Sequence, residues 1–535
     1  MPEETTPLLD STPRSSLRGQ TQQGEPFNGT GDSNTTAKTK TIEEEHNAVY
    51  NRFSKGSKIG IVALISVCGL LPLFVSGSFF PSIPSISRDM DTSPSIVSLT
   101  VSVSIFAACI GALVGASYSG FYGRKPVYLV GLPLLTIGSI GVAFSRTMPE
   151  LMLWRFLQTF GGSPGLSVGA GVIGDIYRLE ERGTAMGVFF GACLLGPALA
   201  PLVGGVISHY ASWRITQLFL GAWGLLAFIC IATMYPETSI PGSRGIDKKR
   251  AELVAQNVAQ GEKWFKIVWI NPLKTLSLLR SPNLLAVALA GTFVLLTDYV
   301  ILTPLSVTLG ARYGITNQAV LGACFIPIGL GNFSQYLITH SSPLSCFVFI
   351  FPFLHSSTKR SALTILVAGA PVAGYLSDQI LKRKRIQRKG EWYPEDRLIG
   401  TVFASATLVP LSVLGFGLVT TYVEGNLGLY LDFLCLFANG VGVDLVLSPS
   451  AAYIVDVMHS KSAESMAANN GLRSLLIAIL LAALMPMLDN IGLAWTNAVS
   501  ALLAWIGFAL LWCTIRYGEQ MRSWVDVGYT SIEDS

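Results

Sequence analysis

Ile96-Val-Ser-Leu-Thr-Val-Ser-Val-Ser-Ile-Phe-Ala-Ala-Cys-Ile-Gly-Ala-Leu-Val-Gly-Ala-Ser-Tyr-Ser-Gly-Phe-Tyr122-Gly123-Arg124-Lys125-Pro126 decides the fold class. From Ile96 to Tyr122 there is no charged residue, and at about 1.5 Å per residue a helix of that length crosses a hydrocarbon core of about 30 Å. It then stops at a glycine followed by two bases and a proline. The same kind of segment recurs along the chain. Apolar spans begin near Ile59, Ile96, Val127, Leu151, Thr184 and Ile215, and again near Asn283, Ala319, Leu398, Leu427, Gly471 and Ile491. None shows a strict amphipathic period, as expected of helices surrounded by lipid and by one another. Many carry Gly, Ala and Ser at close-packing spacings.

Composition points the same way. Of 535 residues, 50% are apolar and only 13% charged, and the mean hydropathy is +0.50, outside the range of soluble chains. A formal charge of +4, from 37 Lys and Arg against 33 Asp and Glu, is too small to indicate a nucleic-acid partner. The placement of the bases is informative. Arg124 and Lys125, Arg178 and Arg182, the group from Arg244 to Arg280, Lys382 to Lys389 and Lys461 fall in alternate loops, whereas the other loops offer little beyond Arg88, Arg146 and Arg312. The positive-inside bias then places both termini in the cytoplasm. The expected organisation is a disordered cytoplasmic tail over residues 1–55, six spans over 56–236 and a basic cytoplasmic loop over 237–281. Six further spans over 282–515 and a cytoplasmic tail over 516–535 complete it. The tail has no apolar region next to its start, so no cleaved signal peptide is expected and the first span serves as the signal.

Ala116 to Pro126 resembles the loop signature of the major facilitator superfamily, roughly G-x-L-S-D-x-x-G-R-[RK]-P. The Gly123-Arg124-Lys125 half is intact, and Gly120 stands at the usual aspartate position. A second copy, Gly374-Tyr-Leu-Ser377-Asp378, keeps the aspartate and runs into Lys382-Arg-Lys-Arg385. Two copies about 260 residues apart, each after the second span of its half, expose an internal repeat. Arg155-Phe-Leu-Gln158-Thr-Phe-Gly161 is similar to the family's R-x-x-Q-G-x-G pattern. The fifth span, with Gly187, Gly191, Gly196, Pro197, Pro201, Gly204 and Gly205, resembles the signature of its proton-coupled antiporters. Gly196 and Pro197 remove a side chain and a backbone donor and so permit close approach and a kink; the same residues also suit ordinary tight packing. The stretch from Gly161 to Gln217 resembles the fungal twelve-helix drug:proton antiporter branch. The resemblance implies an all-α integral membrane protein, twelve helices in two pseudo-symmetric six-helix bundles, that works by alternating access.

An ionisable residue inside a span costs roughly 2.5–3.5 kcal/mol on insertion scales, so each is a functional candidate. Asp298 lies about 15 residues into the seventh span, roughly 22 Å along it. At that depth it is either a proton carrier or a structural aspartate satisfied by Thr297 or Tyr299. Asp444 sits among Gly440, Gly442 and Pro449, and Asp432 lies nearer the outer end of the same span. Arg155, near the start of the fourth span, is placed to reach the outer interface by snorkelling and is a candidate for coupling or gating. Eight cysteines lack metal or disulfide spacing, no histidine has a catalytic setting, and no metal or cofactor is implied. No GxxxxGK[ST] phosphate loop is present, which removes nucleotide hydrolysis.

The expected activity is export of a small amphipathic organic compound, such as a drug, an amine or a secondary metabolite, in exchange for protons. The expected setting is a monomer in the plasma membrane rather than the vacuolar membrane. The alternatives are a proton-coupled importer and a membrane-embedded enzyme, the latter without the clustered acids or histidines it needs. One segment departs from the pattern. The eighth span starts at Gln318 but gives only about 22 Å before Asn332, and Ala368-Gly-Ala-Pro-Val-Ala-Gly374 supplies the missing turns. Residues 333–367 between them are expected to be translated intron sequence; a genuine loop that breaks the helix is the rival reading.

Overall fold

The computed structural model describes residues 50–177, 179–239, 242, 244–255, 270–333, 384, 386–387, 393–458 and 462–524. The 334–367 segment, Asp378 and nearly all of the Lys382–Arg385 cluster lie outside the described residues. Those described form helices joined by short turns, with no strand among them. Nine helices among the described residues are long and apolar enough to cross a membrane: Lys55–Asp89, Pro94–Tyr122, Arg124–Phe144, Trp213–Met234, Pro282–Tyr313, Pro394–Tyr422, Gly425–Val457, Glu464–Ala482 and Leu484–Trp524. Three further segments occupy the expected fourth, fifth and eighth positions. They are Met148–Gly162 with Pro164–Ile176, Leu179–Tyr210, and Gln318–Ala323 with Ile326–Phe333. Ordinals below refer to these twelve in chain order.

Local chemistry sets their ends. Ser93 accepts from the Ile96 N–H with Pro94 at the first turn of the second span, where a missing N–H costs nothing. Thr147 and Glu150 form a capping box at the fourth, and Asn317 caps the eighth. Gly314, at φ +65°, closes the seventh in the left-handed conformation that stops a helix. One expected boundary moves, and the other, near Ile491, is met by a break at Gly492. The eleventh span starts at Ser462, nine residues before Gly471. The last helix breaks at Gly492, φ +81°, so its first residues prolong the eleventh span.

Three apolar cores describe how the halves meet. The first draws on both halves at the end of the bundle away from Lys55 and Trp524, joining Phe79, Phe80, Ile83 and Val101 to Val300, Leu305, Phe325 and Ile477. At the end that holds Lys55 and Trp524, here the terminus end, the cores are separate. One is made only of amino-terminal residues such as Ile65, Tyr128, Val172 and Phe189, the other only of carboxy-terminal ones such as Leu284, Val443 and Tyr453. Polar ties reinforce the far end: Ser306 Oγ donates to Phe80 O at 3.0 Å, Ser95 Oγ to Asp489 Oδ2 at 3.0 Å, and Gln318 bonds Ser85. Among the described residues the two halves therefore share an apolar core at the far end and have separate apolar cores toward the terminus end, where the second and eleventh spans still pack together, Leu113 against Gly471.

Candidate functional site

Gly123 turns the chain between the second and third spans at φ +108°, a conformation strained for any residue with a Cβ, and a Cβ there would meet the Glu237 carboxylate at 2.6 Å. Glu237 uses that space. Its oxygens accept from the backbone N–H groups of Arg124 (2.9 Å) and Lys125 (3.1 Å) at the start of the third span, and from Ser239 N (3.0 Å) and Oγ (2.8 Å). Burial raises the Glu237 carboxyl, and those donors more than offset it, holding the group below its usual range. Arg124 reaches from the same turn to Asp175 at the end of the fourth span, 2.8 Å, and to Ser119 Oγ, 2.9 Å. Lys125 Nζ donates to Ala232 O at 3.2 Å, so the turn binds the ends of four spans together. The carboxy-terminal half repeats the device with other residues: Arg397 pairs with Asp456 and Arg522 with Glu395, which also accepts from Tyr453 OH at 3.4 Å.

The glycines of the fifth span are points of close approach. A Cβ on Gly204 would meet Ser78 O at 2.5 Å, one on Gly196 would meet Leu73 Cβ at 2.8 Å, and one on Gly205 would meet Gln318 O at 2.5 Å. The first two face the first span and the third faces the eighth, across the interface between the halves. Gly191 lies in the same continuous helix, Leu179–Tyr210, which runs through both Pro197 and Pro201.

Arg155 does not snorkel. It is 1% exposed, seven residues past Met148, with its guanidinium 4.3 Å from the centre of the Phe79 ring. Nη1 donates to Gln158 Oε1 at 2.9 Å and to Val75 O at 3.3 Å, while Nε has no partner. Gln158 continues the network to Ser139 Oγ at 2.8 Å and Gln217 Oε1 at 3.0 Å, tying the third, fourth and sixth spans. A protein acceptor and an aromatic face two turns inside the span take the place of the interface.

The carboxy-terminal half arranges its acids differently. Asp432 is satisfied on both oxygens, by Tyr313 OH at 2.9 Å and Thr420 Oγ1 at 2.9 Å, which links the seventh, ninth and tenth spans. Asp298, 7% exposed, has an Oδ1 without any partner. Thr297 does not satisfy it, since that hydroxyl donates to Val294 O at 2.7 Å and accepts from Asn439 Nδ2 at 3.1 Å. Asn439 also donates to Ser412 Oγ at 3.0 Å. Asp444 is half-buried, makes no hydrogen bond among the described residues and lies within electrostatic range of Asp298. Around Asp298, Leu296 and Val300 belong to the shared far-end core and Val294 to the carboxy-terminal one, so it marks the level where the shared core gives way to the separate ones. An apolar crevice of about 440 Å³, walled by Tyr118, Tyr122, Val130 and Phe160 among others, lies elsewhere, between the second, third and fourth spans.

The sequence model of the Major Facilitator Superfamily matches residues 65–358, more than half of the chain. The chain belongs to that superfamily. It is a multi-pass membrane transporter with the superfamily's fold: the xylose transporter XylE from E. coli, in a partially occluded inward-open conformation, superposes with TM-score 0.56 at 13% identity over 86% of this chain and 98% of that one. A bacterial homologue of the human lysosomal transporter Spinster, inward-facing and unoccupied, gives 0.55 at 12% over 88% and 99%. Superfamily relatives in sequence include the efflux pump radE of Floropilus chiversii, 27% identical over 87% of this chain and 81% of its own length. Citrate exporter 1 of Aspergillus niger is 25% identical over 88% of each chain, and the efflux pump FUB11 of Gibberella moniliformis 28% over 87% and 73%.

One intramembrane charge escaped the sequence reading. With the eleventh span begun at Gly471, Arg473 falls in its first turn, where an arginine is interfacial. The observed start at Ser462 carries it eleven residues in, about 16 Å along the helix. The polar run Asn469-Asn470-Gly471-Leu-Arg473 was the available signal. Asp175, Arg397 and Asp456 were missed for another reason: their partners are about 50 to 60 residues away in sequence, and ion pairs at such separations have no sequence period.

Proposed function

We propose that this chain is a secondary active exporter that moves a small amphipathic organic compound out of the cytosol in exchange for protons, by alternating access, with the terminus end facing the cytoplasm of a plasma-membrane-bounded cell. The observation that carries the reading is the change from a shared core to a divided one at the level of Asp298. Asp298, whose Oδ1 has no partner among the described residues, lies at that level, and Asp444 is within electrostatic range of it, which supports the reading. A carboxylate desolvated there exchanges protons between substrate-loading and substrate-releasing states, as a group with no fixed partner can. The ion pairs Arg124 with Asp175 and Arg397 with Asp456 each brace the terminus end of one half, so that each half moves as a unit. The relatives named as efflux pumps and as a citrate exporter support outward transport.

Proteoliposomes carrying the purified chain test the coupling against a panel of amines, azoles and organic acids. Antiport predicts that a transported compound accumulates when the lumen is acid, as protons leave; accumulation only with an alkaline lumen would establish symport and reject this reading. Orientation is checked in cells, where a tag after Lys249 is accessible only from the cytosol and one at Thr92 only from outside.

A further inference from the structure

Arg473 has no part in that proton exchange, yet a guanidinium deep in a span is expensive to keep there. It lies on the same helix face as Asn469 and Ile477, four residues to either side, and both are buried; exposed Ile479 marks a different face. Arg473 therefore points into the protein and not at lipid. Ile477 belongs to the core that the halves share, so Arg473 sits one turn to the terminus side of that residue. Gly471 beside it meets the other half, where Cys109 Sγ donates to Gly471 O at 3.1 Å. The electrostatic neighbour of Arg473 is the partly buried Tyr299, whereas that of Asp444 is Asp298. Among the described residues Arg473 makes no ion pair, and Nη2 donates to Asn470 Oδ1 at 2.9 Å. A neutral amide fixes one edge of the guanidinium and leaves its charge uncompensated. Arg124, Arg397 and Arg522 each face a carboxylate, and Arg155 lies over Phe79.

We propose that Arg473, oriented by Asn470, seats an ionised acidic group of the transported compound, so that the substrate is an organic anion: a carboxylate, sulfonate or sulfate on an apolar body. The proposal rests on the exporter reading and narrows its substrate class. The donors of Arg473 not committed to Asn470 form the planar fork that matches two oxygens of such a group. A cationic amine is repelled by the same charge.

The test is binding to the full-length chain in detergent, read by calorimetry with a matched pair of probes: naphthalene-2-sulfonate, ionised at every working pH, and 2-naphthyltrimethylammonium. The wild type is expected to bind the sulfonate at least tenfold more tightly than the cation. Arg473→Gln should weaken the sulfonate at least tenfold and leave or improve cation binding, with Arg473→Lys and Asn470→Ala in between. Wild-type binding of neither probe, or tighter binding of the cation, overturns the proposal. Should Arg473→Gln fail to fold, unchanged sulfonate affinity in both Arg473→Lys and Asn470→Ala overturns it equally. Because no gradient is present, sulfonate binding through Arg473 by a chain that shows no proton antiport removes the exporter reading alone. Proton-driven export of the cation, unaffected in Arg473→Lys, removes the anion seat alone.

Discussion

The two halves handle buried charge in opposite ways. In the amino-terminal half the intramembrane arginine is enclosed: Arg155 lies over Phe79, bonds Gln158 and Val75 O, and its network extends to Ser139 and Gln217. In the carboxy-terminal half, among the described residues, Asp298 keeps an unpartnered oxygen, Asp444 has no hydrogen bond, and Arg473 has one neutral acceptor. An enclosed charge has its donors engaged by the protein, whereas an underpartnered one has capacity left for a ligand or a proton. On the proposed function, this contrast gives bracing to the first half and chemistry to the second. Asp432 shows that this is a matter of partners and not of residue type, since the same half satisfies that aspartate fully.

The sharpest way to break this contrast is Asp298→Asn. The amide keeps the shape and cannot release a proton, so gradient-driven efflux is expected to fall by about 100-fold or more while substrate binding stays measurable. Wild-type pH dependence of efflux in that variant would move the proton to Asp444. Arg155→Leu asks the reverse question of the other half. It removes hydrogen bonds made by a charged group and leaves Gln158 Oε1 without its donor, so the expected loss is about 1.5–3 kcal/mol of stability, read as a lower unfolding midpoint in detergent. Surviving protein should still couple; loss of proton coupling with stability intact would overturn the assignment of bracing to that half.

Gly204→Ala tests the interface between the first and fifth spans. The added Cβ would lie 2.5 Å from Ser78 O, and overpacking of this kind costs about 1–3 kcal/mol, visible as slower transport and a lower midpoint. The smallest effect is expected from Thr420→Val. It deletes one of two donors to Asp432, worth about 1 kcal/mol, with transport rates close to wild type; a large transport defect there would promote Asp432 from brace to participant.

Much of this was legible in the residues. Apolar runs, Gly123 at the turn and the glycines of the fifth span carry their physical consequences locally, and each falls where the chain uses it. Arg155 shows the limit: its motif was readable, but the ring and carbonyl that receive it, from Phe79 and Val75, come from the first span. The brace of the carboxy-terminal half was sought around Asp378, which lies outside the described residues, while Arg397–Asp456 and Arg522–Glu395 form one without any copy of the loop signature.

By itself the sequence determined the membrane class, the spans and the superfamily signatures, because hydropathy and turn chemistry depend on neighbouring residues. Only the tertiary structure decided which charges are enclosed and which are left open, and at which end the halves share a core. Those depend on side chains hundreds of residues apart, as Ser95 and Asp489 are, and on where a helix begins: nine residues at the start of the eleventh span separate an Arg473 in the first turn from one eleven residues into the helix.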